Sequence, residues 1–323
     1  NSLIVATQGR SLWVLDDLTV LHQLQPNNRN AQTLLFKPKE SYRTKGRGGK
    51  SSLTAGTNLP NGVIVHYFLK NYDAKKDIVE LQFQSNDGAV IKTYSTKDKK
   101  NKLEVKAGGN EFVWNTRYDG AEKLDGMIFW SASFSGAKAV PGSYKVRLVV
   151  NGKEHMQDFT ILPDPRSESS VADMQKQFDF VNDVNQTVDK AHKAIKNIRE
   201  IRTKLKDFTK QNKTDSTATQ LVNQAKTIQD DLLEVEKTLY QTQNRSNQDP
   251  LNFPIRLTNK LGHLNRLLTI DDFPPTNQDI AVKEELNAAV KTAMKQYQTI
   301  IDSDVASFNE LFKKEKRNYL GTE

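Results

Sequence analysis

The sequence predicts a multidomain chain of β plus α class, with a short β-hairpin first, an all-β domain next and an antiparallel bundle of long helices last. Three observations carry this. Through residue 165 the chain is built of short runs rich in Val, Ile, Phe and Tyr, separated by Gly, Asn, Asp and Pro, as strands and their turns are. From Ser169 onward the hydrophobic period changes to 3.6, the spacing of one helical face. Between the two lie Pro163 and Pro165, flanking Asp164, and proline ends a strand and opens a linker. At 323 residues the chain is long enough for two or three cores.

The hairpin comes first. Leu3 to Thr7 is an apolar, β-branched run, Gln8 and Gly9 are turn residues, and Ser11 to Leu15 is a second run that Asp16 and Asp17 end. Two strands alone leave open edges and bury too little to be stable, so this piece is expected to complete a sheet supplied by other sequence. Leu3, Val5, Leu12, Trp13 and Val14 make it apolar on both faces, as strands buried in a larger assembly are. The polar stretch from Gln25 to Asn30, which contains Pro26, separates it from the all-β domain.

Residues 31–164 read as one β-domain. Runs at about 33–36, 63–70, 78–85, 89–95, 111–115, 143–150 and 154–162 give seven strands. Asn86-Asp87-Gly88 and Asn151-Gly152 supply the positive-φ residues that tight hairpins need, which pairs the third run with the fourth and the sixth with the seventh. Tyr144, Val146, Leu148 and Val150 share one face of the sixth run and Lys145 and Arg147 the other. Seven short strands in this space predict an immunoglobulin-like β-sandwich. The insertion from Asp119 to Ala139 is expected to be a long loop. Trp114, Tyr118, Phe129 and Trp130 are the ligand-like aromatics, because sugar rings stack on exposed aromatic faces; Trp114 lies inside a strand pattern and is assigned to the core, while Trp130, in a loop, suits either packing or a ligand, and Trp130 and Tyr118 are kept as candidates for a ligand or interface.

The bundle, residues 169–320, comprises three long helical segments and one short helix. The first carries Met174, Phe178, Val181, Val184, Val188, Ala191, Ile195, Ile198, Leu205 and Phe208 at spacings of mostly three and four. The second, from Ser216 to Asn244, carries Ala218, Leu221, Ala225, Ile228, Leu232, Val235 and Leu239 in a coiled-coil-like pattern. A short third helix runs from Phe253 to Leu268 with Pro254 at its start, and a fourth comes after Pro274-Pro275-Thr276, from Gln278 to about Lys316. Short connections make neighbours antiparallel. Asp230-Asp231, Asp271-Asp272, His192 and His263 are expected to be solvated or to cap helices, since no Glu-x-x-His pair for a di-metal centre occurs.

Val5-Ala6-Thr7-Gln8-Gly9-Arg10-Ser11-Leu12-Trp13-Val14-Leu15-Asp16-Asp17, with Thr19 and Leu24, resembles the closing segment of the last blade in bacterial β-propeller proteins of the sortilin-like, BNR-repeat type, often labelled glycosyl hydrolases. Phe36-Lys37-Pro38, Gly109 to Asn115 with Arg117 and Tyr118, and Val140 to Leu148 match that pattern too, so the resemblance touches most of residues 1–165. Over the helical half it rests on order and length. It implies that residues 1–24 are the last strands of a propeller blade, succeeded by an immunoglobulin-like domain and a helical C-terminus. It further implies an exported protein, in the periplasm, on the cell surface or secreted, of a Bacteroidota-type bacterium. The role implied is a non-catalytic structural and interaction region that braces the propeller and offers a binding surface. The alternative is an accessory or substrate-binding module of a glycoside hydrolase or other hydrolase whose active site lies in the propeller. The partners expected are the upstream propeller portion and a protein or glycan ligand, without nucleic acid.

Charge adds one candidate. The chain has 47 Lys+Arg against 39 Asp+Glu, a net +8, and most of the excess lies in the β half. From Lys37 to Lys50 the run includes Arg43, Lys45 and Arg47 among glycines; it is suited to contact an anion, or to form a solvated, mobile loop. No Gly-x-Ser-x-Gly elbow, phosphate-binding loop or His-Glu-x-x-His occurs, and there is no cysteine, so no catalytic residue, cofactor or metal ligand is assigned. Nothing approaches 18 consecutive apolar residues and no signal core comes after Asn1, so the sequence reads as a soluble mature chain or fragment without a membrane span.

Overall fold

A computed structural model describes residues 2–15, 17–44 and 60–315. It is a mixed β plus α fold with several sheets and a long helical region. The chain divides into two compact units, Asn1–Asp119 with Ala137–Ala172, and Gly120–Gly136 with Asp173–Glu323. The second is therefore discontinuous in sequence.

In the β unit, β1 (Leu3–Ala6) and β2 (Leu12–Leu15) form an antiparallel two-stranded sheet with Leu3 opposite Leu15 and Val5 opposite Trp13. Gly9 (φ +71°) and Ser11 (φ +75°) turn the chain between them. A short helix comes next, α1 (Thr19–Gln23), where the sequence pattern announces none; the Asp17 carboxylate accepts the Thr19 N–H at 2.9 Å.

Eight further strands make two sheets. β3 (Thr33–Leu35), β5 (Val63–Leu69) and β8 (Gly108–Trp114) form one in the order β3-β5-β8. β4 (Ser41–Tyr42), β6 (Val79–Ser85), β7 (Val90–Ser95), β9 (Gly142–Val150) and β10 (Lys153–Leu162) form the other in the order β4-β10-β9-β6-β7. Both expected hairpins are present, β6 with β7 and β9 with β10, and the second turns through Asn151 (φ +50°) and Gly152 (φ +83°) as a primed turn requires. The seven expected strands become eight, because β4 pairs in parallel with β10 through two residues, too few for any periodicity to show.

Alternation places the core. Val63, Val65, Tyr67 and Leu69 of β5, Val79, Leu81 and Phe83 of β6, and Tyr144, Val146 and Leu148 of β9 are buried together. Trp114 is fully buried, stacked on Phe83 with ring centroids 4.4 Å apart and edge-on to Tyr144 and Phe159, while its indole N–H donates to the Arg117 carbonyl at 3.3 Å.

In the helical unit, α2 (Val171–Gln211) is 41 residues long and α3 (Thr219–Leu239) comes after a single 3₁₀ turn. Then come α4 (Leu257–Leu268) and α5 (Asn277–Thr299), which continues through a π-helical turn, Ile300–Val305, into α6 (Ala306–Lys314). Three expectations are corrected here. The buried stripe of α2 uses Gln177 and Phe180 where the pattern pointed to Phe178, which is only half-buried. The third helix starts at Leu257 and not at Phe253, because Arg256 is extended. The second helix ends at Leu239 and not near Asn244, because Tyr240 leaves the helix in a β conformation. Pro275 and Thr276 do open α5, through a capping box in which Thr276 and Asp279 serve each other's backbone N–H.

The helices are tied by polar side chains as well as by apolar ones. Glu236 of α3, 2% exposed, binds Arg199 and Arg202 of α2 at 2.7 and 3.1 Å, and Lys283 of α5 reaches Asp183 of α2 at 2.7 Å. No helix among the described residues is long and apolar enough to cross a membrane.

Candidate functional site

The hairpin β1–β2 is the most exposed apolar feature of the β unit. Leu3 (48%), Ile4 (64%), Val5 (44%), Leu12 (68%), Trp13 (65%), Val14 (54%) and Leu15 (49%) all face solvent substantially, on both sides of the sheet. Among the described residues each strand has one neighbour, so each keeps an open row of backbone N–H and C=O groups. After it, Gln23 of α1 binds the main chain of Lys37 twice, donating to the carbonyl at 3.0 Å and accepting the N–H at 2.8 Å. Such an element can pair with another β-edge and bury its faces in the process.

A cleft of about 620 Å³ lies elsewhere in the β unit, lined by Phe36, His66, Tyr67, Lys106, Asn110 and Glu111 among others. His66 Nδ1 stands 3.8 Å from the Glu111 carboxylate, too far for a proton relay, and burial pushes the Tyr67 hydroxyl up to about 12. Nothing here makes an activated nucleophile. Among the described residues no group of three His, Asp or Glu side chains is placed to hold a metal ion.

The helical unit contains a second organised feature, the segment Gly120–Gly136, whose main chain is bonded by side chains of α2 and α4 and by Tyr240 just after α3. Asp189 accepts the Glu122 N–H (3.2 Å), the Tyr240 hydroxyl the Ile128 N–H (2.8 Å), and Asn259 both accepts from and donates to the Trp130 main chain (2.8 Å each). Asn185 donates to the Ser135 carbonyl (2.9 Å) and is itself held by Asn265 (3.0 Å). His263 Nδ1 donates to the Ser131 carbonyl at 2.9 Å, and His192 Nδ1 to that of Glu122. His192 is fully buried in the middle of α2, so it is neither solvated nor a cap; Asp272, 7% exposed, is not at the solvated surface either.

No protein-family model and no curated protein matches the chain. Among solved structures, a chain described as pT26-6p aligns with 79% of this chain and 46% of its own length, at 10% identity and a TM-score of 0.14. This chain thus spans less than half of that one, and a superposition so loose carries no argument about fold or function.

The residues singled out by sequence are not brought to one place. Trp13 is exposed on β2. Tyr118 is half-buried against the β core, its N–H donating to the Ala137 carbonyl at 2.9 Å, and burial raises its hydroxyl above the usual range. Arg43 is 1% exposed, and its backbone N–H continues the β4–β10 pairing to the Leu162 carbonyl at 2.8 Å, so at this position the basic run is not a solvated loop. Lys45 and Arg47 lie outside the described residues. Trp130 belongs to the helical unit, 41% exposed, with its main chain fixed by Asn259. Sequence reasoning missed Asn185, Asn259 and Asn265, although an Asn at a position of helical apolar spacing is a signal that a buried polar partner exists.

Proposed function

We propose that this chain is a non-catalytic structural and interaction region, and that β1–β2 is its docking element, pairing with an open β-sheet outside the described units. The resemblance makes that sheet the last blade of a β-propeller N-terminal to the hairpin, and the two-sheet unit an immunoglobulin-like brace beside it. The observation that carries the reading is the exposure of seven apolar side chains on both faces of a two-stranded sheet. Fully burying a large apolar side chain is favourable by roughly 1.5–3 kcal/mol, and these are about half covered already, so docking would gain on the order of 5–10 kcal/mol before the cost of association.

The test uses a charged pair. Ile4 and Val14 are cross-strand partners, so Ile4→Lys with Val14→Lys puts two like charges opposite each other on the docking sheet. Calorimetric titration of the chain with the propeller-blade polypeptide should show binding by the wild type and none by the double variant. Thermal melting of the two-sheet core and of the helical unit should match the wild type, since both side chains are exposed and the repulsion falls on the two-stranded sheet alone. Equal binding by the two proteins would overturn the proposal.

A further inference from the structure

Segment Gly120–Gly136 holds neither strand nor helix, and several of its backbone groups are bonded by side chains of α2 and α4 and by Tyr240. One of these contacts differs in kind from the rest. The Glu122 carbonyl can only accept, so His192 Nδ1 carries the proton of their hydrogen bond, and the neutral imidazole then leaves Nε2 as a bare acceptor. Nε2 is buried and has no hydrogen-bond partner among the described residues. The rings of Phe129 and Phe134, both from the segment, lie 5.6 and 5.4 Å from the imidazole.

We infer that Gly120–Gly136 is a clasp that mild acid releases, with His192 as its trigger. A proton added at Nε2 creates a donor with nothing to accept it and a positive charge cut off from water. Attraction of the imidazolium to the two neighbouring phenyl rings restores only part of the lost hydration. Charged groups facing the site come from every side. On α2, Asp189 accepts the Glu122 N–H and pairs with Lys193 at 2.7 Å, and Arg199 pairs with Glu236 of α3 and lies over the Tyr240 ring at 5.5 Å. From the segment itself come Glu122 and Lys123, the latter over Phe129 at 5.8 Å, and from α4 comes His263, whose Nδ1 donates to the Ser131 carbonyl.

Burial holds His192 below the ordinary histidine range; the Glu122 carbonyl and the Asp189 charge pull back in part, and Arg199 adds to the depression. A depressed pKa in the closed form means that the open form takes up the proton first, so closure is at full strength above the hydrated value near ~6.5 and weakens as pH falls toward the closed-form value. One proton makes the opening equilibrium rise by up to about tenfold per pH unit in that window. Release uncovers the amides of Asn185 and Asn259, which in the closed state bind the main chain of the segment, Asn185 being held by Asn265 as well.

The test is hydrogen exchange on the full chain from pH 7.5 to 5.0, corrected for the intrinsic rate. The amides of Glu122, Ile128, Trp130 and Ser133 should lose protection by up to about tenfold per unit below about pH 6.5, while those of Ile228 and Leu232 in α3 stay constant. His192→Gln keeps a donor for the Glu122 carbonyl and cannot gain a proton, so its segment amides should show no such slope. A slope that persists in His192→Gln, or flat protection in the wild type, overturns the inference. Should the variant not fold, the wild-type imidazole titration by NMR decides: an inflection matching the exchange profile supports the clasp, and His192 titrating at the hydrated value with the segment still protected refutes it.

Discussion

Gly262→Ala tests how closely segment Gly120–Gly136 is fitted to α4. Alanine in the interior of a helix is ordinarily better than glycine by about 1 kcal/mol, so an unobstructed site would be stabilised. Here a Cβ on residue 262 would lie 2.6 and 2.7 Å from Cε1 and Cζ of Phe134 and 2.9 Å from the Ala132 methyl. The phenyl ring is hemmed by Phe129 (centroids 4.6 Å) and by His192 (5.4 Å), and the Ser133 N–H is bonded to the Gly262 carbonyl at 2.8 Å, which holds the segment against this turn. Overpacking costs about 1–3 kcal/mol, and a stretched Ser133 bond adds about 1. The clash therefore outweighs propensity, for a net loss of about 1–3 kcal/mol. Urea unfolding gives the number, and Ser133 amide exchange locates it. In a Phe134→Ala background the same substitution should become neutral or favourable by up to about 1 kcal/mol, a coupling of about 1–4 kcal/mol in the double-mutant cycle. Stabilisation of the wild type by Gly262→Ala would refute the packing argument.

Two core substitutions probe the other buried rings. Trp114→Ala should destabilise the β unit by about 3–5 kcal/mol, since it empties a fully buried site and removes the stack on Phe83, and chemical denaturation with a β-sheet signal measures it. Phe180→Ala should cost the helical unit about 3–5 kcal/mol, because that ring is 4% exposed and carries Lys283 Nζ 4.8 Å from its centroid, whereas Phe178→Ala should cost about 1; thermal melting of the two variants side by side gives the order, and the reverse order would place the α2 face wrongly.

The two hairpins of the five-stranded sheet were legible in Asn86-Asp87-Gly88 and Asn151-Gly152, because turn chemistry is local and strand period does the rest. The long helices were legible for the same reason, as many turns repeat one signal. What stayed hidden depends on partners far along the chain. Gln177 occupies an apolar position of α2 because its amide donates to the carbonyls of Leu268, Asp271 and Phe273, about 90 residues away. That displaces the ring at 178 from the stripe. His192, Asn185, Asn259 and Asn265 are buried because the segment from Gly120 to Gly136 comes to them, and no window of sequence contains both sides of those bonds. Arg43 was read from the cations and glycines around it, but a strand of two residues carries it into the β unit. The hairpin β1–β2 was legible as strands, and its apolar faces were legible as faces; what they pair with is not written in these residues.

That pairing is most directly measured at Trp13. In a Trp130→Phe background Trp13 is the one strongly exposed tryptophan, since Trp114 is fully buried, so acrylamide quenching reports it alone. The account predicts ready quenching in the chain by itself and a several-fold lower quenching constant once the propeller-blade polypeptide is joined or added, because the open edges pair and both faces are covered. Quenching of Trp13 that is equally strong with and without that polypeptide would contradict it.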